Sequence, residues 1–329
     1  MTSRTSLEQL YVNKYTPELT SYETFLENNE NVHNRMLKVF SNNDYTNIEN
    51  NLDRILEDSN YTTEAFDFLT YLKELLVKME HFNSSSLWSV YHILLLSELG
   101  CMKLAKTKHR EESHTQNLLT SIEKNADVLS DFIYQNNISI DKVMKLQFID
   151  LQRGLEAKSG GDFVLIVEYI YDGKNRYFPI IVQAKRSSMM SIDVSHSNTH
   201  GLQLHSLKKH NVPNAYLYYF ECSDTIPKSI PPLVKETKCI TPPNDSDPLN
   251  NSEPMSSYFI RCVTTIANKQ LFSSVDGALA AINACVNLDS LHQLFVLTDR
   301  EAQDLEYKMR LDQLKNPNKR PKNGSRLEK

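Results

Sequence analysis

Residues 160–185 read GGDFVLIVEYIYDGKNRYFPIIVQAK. Two runs rich in β-branched and aromatic residues, 163–171 and 177–183, flank Asp172-Gly173, a dipeptide that favours a tight hairpin. Pro179 lacks an amide N–H, which predicts a place near its strand's start or at a sheet edge. Side chains alternate along a strand, so Gln183 and Lys185 share one face while Ala184 points to the other. Residues directly opposed in an antiparallel pair also share a face. A two-residue turn at 172–173 sets Asp162 against Gln183, and a four-residue loop through Asn175 sets it against Lys185. A three-residue loop without a bulge would set it against Ala184 and scatter the group. The hairpin's register therefore decides whether an acid, an amide and an ammonium meet.

Outward from the hairpin, a helix is expected over about 200–209 and a strand over 215–220. Upstream, Ser113 and Gln116 form a capping-box pattern that opens a helix running to about Tyr134. Helix, hairpin, helix, strand is the order of an α/β core, a mixed sheet flanked by helices, with an all-α region in front. In that front region Ile48, Leu52, Ile55 and Leu56 lie at helical spacing, and a longer stripe runs from Ala65 to Met79. Leu87 to Met102 is apolar nearly all round.

Five of the eight glycines, Gly154, Gly160, Gly161, Gly173 and Gly201, fall in one short stretch, where backbone must turn or approach closely. Prolines gather instead from Pro227 to Pro254 among Asn, Asp and Ser. The expected division is a helical domain over 1–107, the α/β core over 108–225 and a loop or linker over 226–256. An α/β or helical extension over 257–314 and a basic disordered tail over 315–329 complete it. In the extension, Gly277 to Ile282 reads as a packed helix, and Thr298 with Glu301 as a capping box.

Composition narrows the class. With 329 residues, 40% hydrophobic and 23% charged, the chain can bury a sizeable core and is neither disordered nor collagen-like. The longest apolar run, around Ile93–Leu96, is far too short to span a bilayer, and the N-terminus has no apolar leader segment. Five cysteines without a C-x-x-C pair argue against a zinc knuckle or a disulfide scaffold. These features predict a soluble, reduced, cytoplasmic protein with no membrane partner. Residues 1–100 carry 7 Lys and Arg against 15 Asp and Glu, whereas 101–329 carry 29 against 26, so the first hundred residues alone do not suit a phosphate-bearing partner while the later part can. The acidic helices suit a protein partner.

The patch at the hairpin's open end has the chemistry of a metal-assisted hydrolase. A carboxylate such as Asp162 binds Mg²⁺ (or Mn²⁺) through oxygen, and Mg²⁺ often takes few protein ligands. The Gln183 side-chain oxygen or the Ala184 backbone carbonyl would supply a second ligand, and Lys185 would stabilise charge growing on phosphate. One carboxylate is thin for this work. Glu111 and Glu112 before the Ser113 cap, and Glu156 ahead of Asp162, are the candidate second acids.

A helix with Glu near its start, then Gly-x-Asp leading into one strand and Gln-x-Lys ending the next, followed by helix and strand, resembles the PD-(D/E)xK, or restriction-endonuclease-like, nuclease superfamily in its Gln-x-Lys branch. It is also similar to largely uncharacterised bacterial restriction or defence-type proteins with Gly-(Ala/Gly)-Asp and Gln-Ala-Lys. The resemblance covers about 108–222. It implies Asp162 as the metal-bridging carboxylate, Gln183 in the position of the second acid, Lys185 as the catalytic lysine and Glu112 as the first-helix acid, with Glu156 its rival. Gln203 resembles the glutamine some members use to touch substrate, although Leu207 stands where their aromatic partner would be. No Pro precedes Asp162, and Gln replaces the second acid.

The expectation is a metal-dependent endonuclease acting on DNA rather than RNA, in a restriction or anti-phage setting, with a homodimer compatible. The alternatives are an inactive nuclease-fold module that binds nucleic acid or protein, and an RNA-cleaving toxin. Lys208 and Lys209, with His196, His200, His205 and His210, would line a phosphate-facing groove.

Overall fold

A computed structural model describes residues 13–40, 75, 79–82, 84–136, 138, 145–150, 161–171, 174–198, 201–264, 271–285 and 293–298. Helices α1 (Asn13–Glu27), α2 (Glu30–Phe40), α3 (Ser85–Leu104) and α4 (Glu111–Gln135) precede strands β1 (Lys145–Asp150), β2 (Phe163–Tyr171) and β3 (Lys174–Ser187). Then come α5 (Gln203–Lys208), β4 (Asn214–Phe220), β5 (Leu233–Glu236) and β6 (Ser252–Pro254). Helices α6 (Met255–Thr264) and α7 (Val275–Cys285) lead to β7 (Gln293–Thr298).

The seven strands form one mixed sheet in the order β1-β7-β2-β3-β4-β5-β6. The β7/β2 and β3/β4 pairs are parallel and the others antiparallel. With helices packed against this sheet, the chain is an α/β fold, as the element order predicts.

The β2–β3 ladder runs from Phe163 against Val182 to Tyr171 against Lys174, the register of a two-residue connection. Val164 to Val167 and Phe178 to Val182 are all buried, so these strands read as continuous apolar runs rather than alternating ones. Pro179 lies inside β3, which is an interior strand. The Tyr177 amide bonds outward to the Phe272 carbonyl and the Ile181 amide to the Pro213 carbonyl. Pairing with β4 begins only at Ile181. Pro179 thus sits between two partners, on the side where no strand asks for its missing N–H.

Helix α3 is capped by Ser84, whose hydroxyl accepts the Leu87 N–H at 3.1 Å. It is buried on every side, packing on α4, α6 and β2. At its centre Glu98 accepts the Ser256 N–H at 2.6 Å and the Ser256 hydroxyl at 2.9 Å, and Tyr22 Oη approaches at 3.4 Å. One buried carboxyl therefore ties α3 to the first turn of α6 and to α1. Burial pushes its pKa up to about 8, against the pull of those hydrogen bonds.

Three expectations change. The helices of the front region and the sheet share one buried core, so a boundary at 107 falls inside it rather than between domains. Residues 226–256 are no linker, since they carry β5 and β6 at the end of the sheet. The region after 257 is not peripheral, because β7 lies between β1 and β2. Thr298 ends β7, and its hydroxyl donates to buried Glu168 at 3.1 Å, while Glu301, the other half of the expected capping box, lies outside the described residues.

Gly277 to Ile282 does lie within helix α7. The stripes over 48–72, Glu156 and the basic tail lie outside the described residues. Among the described residues no helix is long and apolar enough to cross a membrane.

Candidate active site

The β2–β3 register carries Asp162 to the side of Gln183. The Asp162 amide donates to the Val182 carbonyl at 2.8 Å, just before β2 begins. Its carboxylate oxygen Oδ2 accepts the Ala184 N–H at 2.7 Å and Gln183 Nε2 at 2.8 Å. Gly161 makes this approach feasible, since a Cβ there would collide with the Ile181 side chain and press on the Val182 carbonyl.

Gln183 is almost wholly buried. Its Nε2 also donates to the Ala184 carbonyl at 3.1 Å, while its Oε1 is buried with no hydrogen-bond partner. An orphaned carbonyl oxygen beside a carboxylate is costly unless something outside the chain satisfies it. Tyr216, opposite Gln183 on β4, leaves its hydroxyl in the same condition.

Lys185 lies two residues on, with Nζ 3.6 Å from Glu111 Oε1. Glu111 Oε2 also accepts the Arg186 N–H at 3.1 Å. Glu111 is the first residue of α4, whose cap, Arg110, provides no side-chain bond. The helix thus opens two residues before the expected Ser113 cap, and this phase brings Glu111 to the patch while Glu112 stays exposed.

Glu221 fixes that helix end. Its Oε1 accepts the His109 N–H at 2.7 Å and lies 3.1 Å from His114 Nε2, and its Oε2 accepts Arg186 Nη1 at 2.9 Å. His114 stacks on Tyr219. Sequence reasoning missed Glu221, Arg186, His114 and Tyr216. The one available signal was an acid closing the aromatic run of β4.

Crowding by protein pushes the Asp162 pKa up to about 6 and neighbouring Glu111 adds to this, while the Ala184 N–H, Lys185 and Gln183 oppose it. Solvent still reaches Asp162, and screening softens these effects.

Gln203 opens the short helix α5, and its Oε1 is also buried without a partner. Lys208 is exposed, and its ammonium donates to the Ile240 carbonyl at 2.7 Å. Lys209, His196 and His205 are exposed. Among the described residues no group of three or more His, Cys, Asp or Glu could hold a metal ion.

The patch thus offers Asp162, Glu111 and the free Gln183 oxygen. That all-oxygen set, with few carboxylates, fits a hard cation that keeps several waters. The Ala184 carbonyl already receives the Gln183 amide. No protein-family model matches the chain, and no curated protein or solved structure matches it either.

Proposed function

We propose that this chain is a metal-dependent nuclease of the PD-(D/E)xK type that hydrolyses phosphodiester bonds, in DNA rather than RNA. The observation that carries the reading is the orphaned Gln183 oxygen beside Asp162, on the strand face that also presents Lys185. Asp162 and Glu111, with Gln183 Oε1, would hold Mg²⁺ or Mn²⁺. The bound cation supplies charge neutralisation and a more acidic water.

The chain's own groups have separate tasks. The Ala184 N–H and the Gln183 amide fix the rotamer of Asp162. Lys185 places an ammonium where negative charge grows on phosphate. Glu111 and the Glu221 network hold the start of α4 against the end of β3. A restriction or anti-phage role, a cytoplasmic site of action and a protein partner for the acidic helices belong to this reading.

A second reading has one observation in its favour. Asp162 already accepts two hydrogen bonds and Lys185 already faces Glu111, a set that closes on itself. That suits an inactive nuclease-fold module that binds nucleic acid or protein.

The test is cleavage of supercoiled plasmid and of a structured RNA by the purified protein with Mg²⁺, Mn²⁺ or EDTA. Asp162→Ala and Lys185→Ala run beside the wild type. Metal-dependent plasmid cutting that falls by roughly 10²-fold or more in each variant is expected. Cutting of RNA alone would move the reading to an RNA-directed toxin. Tight nucleic-acid binding without cutting, unchanged in both variants, would establish the inactive module.

A further inference from the structure

At the β5–β6 end of the sheet, α2 and α6 close over a cleft of about 360 Å³. That is the lower end of the size range of small-molecule sites. Its walls carry four cations, Arg35, Lys38, Lys238 and Arg261, and two carboxylates, Glu236 and Glu253.

The acids are committed to two of those cations. Arg261 donates to Glu253 Oε1 from Nε at 2.8 Å and to Glu236 from Nη2 at 3.3 Å, and Lys238 pairs with Glu236. The Arg261 guanidinium also lies over the Tyr258 ring, 5.1 Å from its centroid. Arg35 and Lys38 have no such acid among the described residues. They are three apart on α2 and so share a face.

The same cleft also holds an acceptor. Glu253 is 2% exposed, and its Oε2 has no hydrogen-bond partner. A buried carboxylate oxygen left in this state calls for an N–H or O–H from outside.

The ligand must therefore be anionic at one end and carry a donor at the other. A phosphate monoester bears between one and two negative charges near pH 7 and presents three acceptor oxygens. It suits a pair of cations better than a single carboxylate does. We infer that the cleft binds a small phosphate monoester whose body carries a hydroxyl or amino donor, the chemistry of a nucleoside monophosphate. Arg35 and Lys38 take the phosphate, and Glu253 takes the donor. None of these residues belongs to the Asp162 patch, so the inference stands apart from the nuclease reading.

Calorimetric titration of the full chain tests it, with AMP and ribose 5-phosphate as probes and adenosine and inorganic phosphate as half-ligands. Saturable binding of either whole probe is expected, with each half-ligand weaker by roughly tenfold or more. The double variant Arg35→Gln, Lys38→Gln should weaken the whole probe by a similar factor. If that variant loses its cooperative melt, exposed Lys38→Gln alone takes its place.

The inference is overturned if neither phosphorylated probe binds, or if binding is unchanged in the folded variant. It is also overturned if inorganic phosphate binds as tightly as AMP, since Glu253 would then have no role.

Discussion

Two lysine–acid pairs in this molecule are made of the same chemistry and finished differently. Lys235 on β5 is buried against Asp245, donating to Oδ1 at 2.9 Å and to the Asp247 carbonyl at 2.8 Å. Tyr218 donates to the other Asp245 oxygen at 2.8 Å. Neither charged group keeps a buried polar atom without a partner. Lys185 meets Glu111 at a longer 3.6 Å, within reach of water and two residues from Gln183, whose buried side-chain oxygen has no partner. The first pair is complete and behaves as a strut. The second has capacity to spare, and spare capacity at a water-accessible patch is what a ligand can use.

The sharpest way to break this contrast is Lys235→Ala. It leaves Asp245 buried and uncompensated, so a loss of about 3–5 kcal/mol in urea unfolding is expected. A loss below about 1 kcal/mol would end its description as a strut.

Glu98 extends the comparison to a buried acid with no cation partner among the described residues. Its pKa lies above the unfolded value, so the folded state holds its proton more tightly. That contribution to stability is fully present below about pH 4.5 and is lost as pH rises through about 8. Glu98→Gln should flatten this part of the stability profile, read by urea unfolding at several pH values. An unchanged slope would put the pH dependence elsewhere.

Asp162→Asn sharpens the other arm. Its oxygen still accepts the Ala184 N–H, so stability should change by no more than about 1 kcal/mol while any metal-dependent cutting is lost. Smallest of all, Glu112→Gln should stay within about 0.5 kcal/mol of wild type and keep wild-type activity. Glu111→Gln, by contrast, should reduce cleavage, and equal effects in the two would return the helix acid to an open question.

The hairpin was legible in the sequence because its information is local. Asp172-Gly173 marks the turn, and alternation then assigns Asp162 and Gln183 to one face. Glu111 was less legible, because helix phase depends on a cap, and Arg110 starts α4 without any side-chain bond that a pattern would reveal. β5 and β6 hid among prolines and asparagines because strands of four and three residues carry too little alternation to read. The partners of Glu221 and the cleft at α2 were out of reach. They exist only where segments distant in the chain are packed together.

The place of β7 bears on how the protein is made. It supplies one neighbour of β2, yet it follows the β2–β3 hairpin by nearly a third of the chain. While the chain leaves the ribosome, the apolar edge Val164–Val167 waits with its backbone unpaired until β7 arrives. An unpaired edge of this kind is a template for other strands, so slow or stalled translation before residue 293 would yield aggregates rather than a smaller folded protein.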